Sequence, residues 1–359
     1  MTVLGGFCRA ALCGLLGLTC CATSYSATIT VQIDPAEPAN TGFSDLTPVV
    51  PIANGNPGTT LGAQRLYVFQ TAANQWGKLL NSAAIIRVNA KMDSISGGCG
   101  GTTAILGQAG PDNAFANFPH APKSNVFYAV ALADGIAGSA NDPGNAQIDA
   151  TFNVDIDTGT CLTGQTWSYD TNQAHGVPAN KIPLLPVVFH ELGHGLGFIT
   201  FTNLSDGSFI NVGGGSFLPD IWDYYLFDQG QNKTWEQINP TGAASVNIVN
   251  SAKNDPNLVW AGKKVNRLQR VFLDGALSGT HNGCMRMYAP NPAEPGSSVS
   301  HWTKASARAL LMQPYLNETI FNLVDMTLPF FQDIGWSTNP EDLVFYDGFD
   351  PNPCPNVQP

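Results

Sequence analysis

Ile29, Val31 and Ile33 alternate with Thr28, Thr30 and Gln32, the period-two pattern of a strand with one buried face. Gly- and Pro-rich sequence runs from there to Gly58. Leu66, Phe69, Ala73, Trp76 and Leu80 then recur at three and four residues, which predicts an amphipathic helix with one face on a core. Ile86, Val88, Ala90 and Met92 alternate and predict a second strand, whereas residues 95–145, rich in Gly, Asn and Pro, read mostly as loop. The longest alternation is Ile148, Ala150, Phe152, Val154 and Ile156, with Asp149, Thr151, Asn153 and Asp155 between them. It reads as an edge strand, core on one side and water on the other.

Leu184 to Phe198 is the next helix: Pro186 suits its first turn, and Val188, Leu192 and Leu196 form an apolar stripe. Residues 199–300 are irregular, with short helical pieces expected near Trp235 and Asn247. Leu323 to Trp336 predicts a final helix stopped at Gly335, with Pro329 in its first turn or kinking it. A tail follows from Ser337. No internal repeat is present.

Composition narrows the class. Hydrophobic residues make up 43% and charged residues 12%, so the chain is core-forming rather than disordered. The net charge is −11 with only 16 Lys and Arg and no basic cluster, which argues against nucleic acid and anionic membrane surfaces as partners. Arg9, the apolar run Ala10–Ala22 and Ser24-Tyr25-Ser26 fit a secretory signal peptide over residues 1–26, with an apolar run too short to span a bilayer. The mature chain is therefore expected to be secreted, or periplasmic in transit, with no stable membrane association.

Of the 8 cysteines, Cys99, Cys161, Cys284 and Cys354 lie beyond the signal. Four cysteines allow three pairings; Cys99–Cys161 and Cys284–Cys354 are favoured because each pair lies within one region. No CxxC occurs, so a thiolate zinc site has no support.

The chemistry centres on His190-Glu191-Leu192-Gly193-His194. Histidines four residues apart on a helix lie about 40° apart on one face and can share one zinc ion. Glu191, on the adjacent face, can take a proton from a water that zinc activates. Spacing alone supports these two ligands and this general base. Zinc needs a third protein ligand and an open position.

His190-Glu191-x-x-His194-x-x-Gly197 resembles the start of the extended metzincin motif, in which the glycine lets the chain leave the helix. Three residues after that glycine the family places its third histidine; here Thr200 stands there. His301, followed by Met312 in Leu311-Met312-Gln313-Pro314, takes that part instead. The chain thus resembles the leishmanolysin branch of the metzincins, in which a long insertion precedes the third histidine. The likeness extends through Gly296–Trp302, Met326-Thr327-Leu328 and Phe331–Trp336. Upstream, Thr41–Asp45 and Asn56–Gly62 resemble exported bacterial homologues of that kind.

The resemblance implies His190, His194 and His301 as zinc ligands, Glu191 as general base and Met312 as the methionine turn beneath the metal. It implies an α+β, metzincin-like zincin: a twisted mixed sheet with an active-site helix, and a second helix-containing subdomain below the cleft. The corresponding division is residues 27–198, an insertion over 199–300, the third ligand, methionine turn and final helix over 301–336, and a tail over 337–359. His281 is a reserve ligand, Asp220 and Asp223 are acidic alternatives, and His120 and His175 read as loop residues. Glu236 and Glu294 lack a helical ligand motif.

The expected activity is zinc-dependent endopeptidase action by a monomer on peptide or protein substrates. By the family analogy, substrate lies extended along an edge strand, for which Ile148–Ile156 is the candidate. Tyr315 is a weak candidate for oxyanion stabilisation. The rival reading is a secreted zinc-binding protein that has lost catalysis; retention of Glu191 favours the enzyme. Hydrolysis of a non-peptide amide is a third option.

Overall fold

The structure is a computed structural model that describes residues 26–50, 53–172, 176–272, 279–306, 308–316, 325–339 and Cys354. The expected signal segment up to Tyr25, His175, Leu323 and the tail over 340–353 lie outside the described residues. The fold is α+β, with seven α-helices among the described residues.

Four strands form the main sheet, in the order Thr28–Ile33, Ile85–Asp93, Ile148–Asn153, Gly107–Pro111. The first three run parallel, with Ile29 opposite Ile86 and Val88 opposite Ile148; the last is antiparallel. Ile29, Ile86, Val88, Ala90, Ile148, Ala150 and Phe152 are buried, so the alternation in the sequence marks the face covered by helices. Helix α1 (Leu61–Leu79) follows the first strand and starts five residues before its first periodic apolar position, capped by Thr60, whose side chain accepts the Ala63 N–H. Val68, Phe69, Ala72, Ala73 and Trp76 on α1 are fully buried.

Residues 95–145 are more ordered than their composition suggests. They hold α2 (Val130–Ala137) and the strand Gly107–Pro111. This strand corrects the expectation for Ile148–Ile156. That segment is a strand only to Asn153, then a 3-10 turn over Val154–Ile156 begun by the Asn153 side chain, which accepts the Asp155 N–H at 3.0 Å. It is also an interior strand, bonded on both sides. The edge on this side of the sheet is Gly107–Pro111, and Thr28–Ile33 is the opposite edge.

Helix α3 (Leu184–Gly195) packs beside α1 on the same face of the sheet, against the strands Ile148–Asn153 and Gly107–Pro111, and the Trp76 indole donates to Phe189 O at 3.1 Å. Beyond α3, residues 199–300 contain the expected short helices, α4 (Trp235–Ile238) and α5 (Val246–Ser251). They also contain α6 (Lys263–Phe272) and a five-stranded antiparallel sheet of two- and three-residue strands. Helix α7 (Thr327–Ile334) carries Pro329 in its first turn and ends at Gly335. Phe198, Trp222, Trp260 and Phe330 meet ring to ring at 4.2–5.2 Å and join the two regions in one continuous core. Cys99 is bonded to Cys161 and Cys284 to Cys354, the favoured pairing. No helix among the described residues is long and apolar enough to cross a membrane.

Candidate metal centre

His190 and His194 project from one face of α3, and the loop carrying His301 brings a third imidazole to them. The three Nε2 atoms stand 3.1, 3.2 and 3.2 Å apart. Each Nδ1 donates to a backbone carbonyl: His190 to Leu311 O at 2.6 Å, His194 to Phe198 O at 2.7 Å, His301 to Ser297 O at 2.7 Å. A carbonyl can only accept, so each Nδ1 carries the hydrogen and each Nε2 a lone pair.

Burial lowers the pKa of His190 to about 4 and, with the adjacent His190, that of His194 to about 3; burial and both neighbours push His301 well below its ordinary value. Three lone pairs therefore converge with no proton between them, an arrangement that repels unless a cation accepts all three. Nitrogens bound at about 2.0–2.1 Å to a tetrahedral ion stand about 3.3–3.4 Å apart, close to the spacing here. The group can hold a metal ion.

The exit from α3 explains why His194 faces inward. Gly197 adopts φ +118°, and the two bonds Phe198 N–H to Gly193 O and Gly197 N–H to His194 O, both 3.0 Å, close a Schellman turn. The carbonyls this turn leaves free are taken by ring N–H groups: Leu196 O by Trp336 and Gly197 O by Trp222, both at 2.9 Å, and Phe198 O by His194. The glycine that sequence singled out thus directs the chain so that its own carbonyls orient the His194 ring.

Glu191 is 8% exposed, and burial pushes its carboxyl up to about 8, the backbone of Ala109 pulling the other way. It lines, with the three histidines, a cleft of about 660 Å³ between the edge strand and the 311–316 segment. Leu106 O and Asp112 N bond to the interior side of the sheet. By antiparallel alternation, Gly107 and Ala109 between them turn their N–H and C=O outward, toward the cleft.

The other sequence candidates lie elsewhere. Asp220 and Asp223 form a capping box at the 3-10 turn Ile221–Tyr224. Asp220 also accepts from Thr200 Oγ1 at 3.0 Å and from Phe201 N, and Asp223 accepts from Thr202 Oγ1 at 2.7 Å. Burial pushes both carboxyls up, and the charge of Asp220 pushes Asp223 further. They brace the chain leaving α3, and Thr200, where the shorter metzincin motif has histidine, is turned to that brace. His281 pairs with Cys284 in a hairpin, and His120 is exposed in a loop. Tyr315 lines the cleft with its hydroxyl committed to Glu294 Oε2 at 3.2 Å. Met312 is fully buried beneath α3.

Compared with protein-family models, curated proteins and solved structures, the chain finds no match.

Proposed function

We propose that the protein is a secreted zinc endopeptidase of metzincin type, akin to the leishmanolysin branch, with His190, His194 and His301 as ligands and Glu191 as general base. The observation that carries this reading is the convergence of three Nε2 lone pairs beside a buried carboxylate in an open cleft. Imidazole donors suit zinc, and a three-histidine set leaves a position for water or substrate.

The chemistry such an ion supplies is Lewis acidity: it polarises a peptide carbonyl and brings the pKa of water to about 7. Glu191 takes the proton of the attacking water and passes it to the leaving amine. The outward N–H and C=O groups of Gly107 and the C=O of Ala109 pair with an extended substrate, adding a strand to the sheet edge, while the Ala109 N–H faces Glu191. Among the described residues no Lys, Arg or Asp lines the cleft, which suits uncharged side chains beside the scissile bond. The two disulfides and the signal-like N-terminus support an oxidising, extracytoplasmic setting.

Metal analysis of wild type beside His301→Ala and His281→Ala tests the reading. One zinc per chain, lost in His301→Ala and retained in His281→Ala, is expected, together with casein hydrolysis by wild type alone and His281→Ala. Undiminished zinc in His301→Ala overturns the ligand set; a zinc-loaded wild type without hydrolysis overturns the enzyme in favour of a zinc-binding protein.

A further inference from the structure

The three imidazoles are not held in equivalent ways. His194 is oriented by Phe198 O and His301 by Ser297 O, each four residues away on its own stretch of chain. Folding of the local segment suffices to aim those rings. His190 is oriented by Leu311 O, 121 residues away. Its aim therefore depends on whatever holds Leu311.

The turn 310–313 is fixed at several points. Gln313 Oε1 accepts the Leu310 N–H at 3.2 Å, Met312 O accepts the Trp302 N–H at 2.8 Å, and Gln313 Nε2 donates to Thr303 O at 2.9 Å. The Leu311 N–H itself donates to Asp325 Oδ2 at 2.5 Å. Asp325 is 2% exposed, and its other oxygen accepts the Thr327 N–H at 2.7 Å at the start of α7. One carboxylate thus grips both the residue that orients His190 and the first turn of the last helix. An aspartate suits this because both oxygens accept; an asparagine would turn its NH₂ against one of the two N–H groups.

We propose that Asp325 is a positioning residue of the metal centre, which holds Leu311 so that its carbonyl locks the His190 ring with Nε2 toward the ion. This rests on the reading of the three histidines as metal ligands. Asp325 touches neither metal nor substrate and acts through the Leu311 backbone. Carbonyls that fix a ligating imidazole set its tautomer and its basicity, and loss of such partners costs about 10–100-fold in metal affinity.

The test uses the full chain carrying Asp325→Ser or Asp325→Asn. Serine caps Thr327 through its hydroxyl, as aspartate does, but is too short to reach Leu311. Asparagine is nearly isosteric and accepts from one N–H only. Metal-free melting temperature, zinc affinity by chelator competition and the visible spectrum of the Co²⁺-substituted protein are measured for each. Both variants are expected to unfold cooperatively without metal, to bind zinc about 10–100-fold more weakly and to show an altered Co²⁺ spectrum. Wild-type affinity and spectrum in either variant overturn the proposal. Loss of the cooperative transition in both makes Asp325 a fold residue and overturns it too. A wild type that binds neither Zn²⁺ nor Co²⁺ brings down the metal reading itself, and this proposal with it.

Discussion

The Met312 sulfur lies against Gly193, on the stretch of α3 between His190 and His194: a β-carbon at Gly193 would come within 2.7 Å of it. A methyl group there requires the Met312 side chain to shift. Gly193→Ala is expected to displace Met312 and tilt α3, destabilising the protein by about 1–3 kcal/mol, the usual cost of overpacking a close contact. Denaturant unfolding of the metal-free variant measures it, and zinc affinity should fall in parallel. A stability within error of wild type would mean that the contact is loose.

Glu191→Gln keeps the shape and burial of the side chain while removing its capacity to accept a proton. Zinc content is expected to stay at wild-type level and casein hydrolysis to fall by at least about 100-fold, the low end for loss of general acid–base catalysis. Hydrolysis within a few-fold of wild type would assign the proton transfer to another group.

Ala109→Pro tests the sheet edge. The Ala109 N–H points away from the neighbouring strand, so proline removes a donor from the cleft without breaking the ladder, and Pro111 already occupies the next outward position. We expect kcat/KM on peptides to fall about tenfold, the value of about 1–1.5 kcal/mol for one hydrogen bond, with zinc content unchanged. Because this N–H also faces Glu191, unaltered kcat/KM would show that it serves neither the substrate nor the general base.

Asp333, on α7, accepts N–H bonds from Lys264, Val265 and the Trp260 indole, and burial raises its pKa from 3.8 to about 6. The folded chain therefore holds this proton more tightly than the unfolded chain. The resulting stability is complete below pH 3.8 and disappears as pH rises through about 6. Asp333→Asn has no such term, so the stability of wild type relative to the variant should decline between these limits by on the order of 2–3 kcal/mol. Chemical unfolding across that range reads it; a pH-independent difference would show that the carboxyl titrates alike in both states.

Legibility from sequence followed the range of the interactions. Helix α1 and the strands at Ile29, Ile86 and Ile148 announced themselves because each buries one face along a regular period. Gly107–Pro111 did not: its sequence, Gly-Gln-Ala-Gly-Pro, has no apolar alternation, and it is a strand because an interior neighbour pairs with it. Helix α2 hid in an apolar run, since a helix buried on all sides has no polar face to set its period. Strands of two or three residues, such as Leu226–Asp228 and Leu258–Trp260, are too short to alternate.

In the centre, His190, Glu191 and His194 were readable because a helix turns spacing into geometry. His301 came through family likeness, having no local pattern of its own, and the structure brings it to the other two. The carbonyls of Leu311, Phe198 and Ser297 carry no side-chain signature at all. Asp325, which acts through a backbone N–H, was invisible for the same reason.

The two disulfides each stay on one side of the cleft, Cys99–Cys161 in the first half of the chain and Cys284–Cys354 in the second. An ion shared by His190, His194 and His301 would add a clasp across it to the shared core, joining residues 107 to 111 positions apart. In polymer terms it acts as a reversible cross-link, and closing a loop of this length is worth on the order of 4–5 kcal/mol of chain entropy. Metal removal would then do more than stop a reaction: it would leave the floor and roof of the cleft held by the shared core without this cross-link.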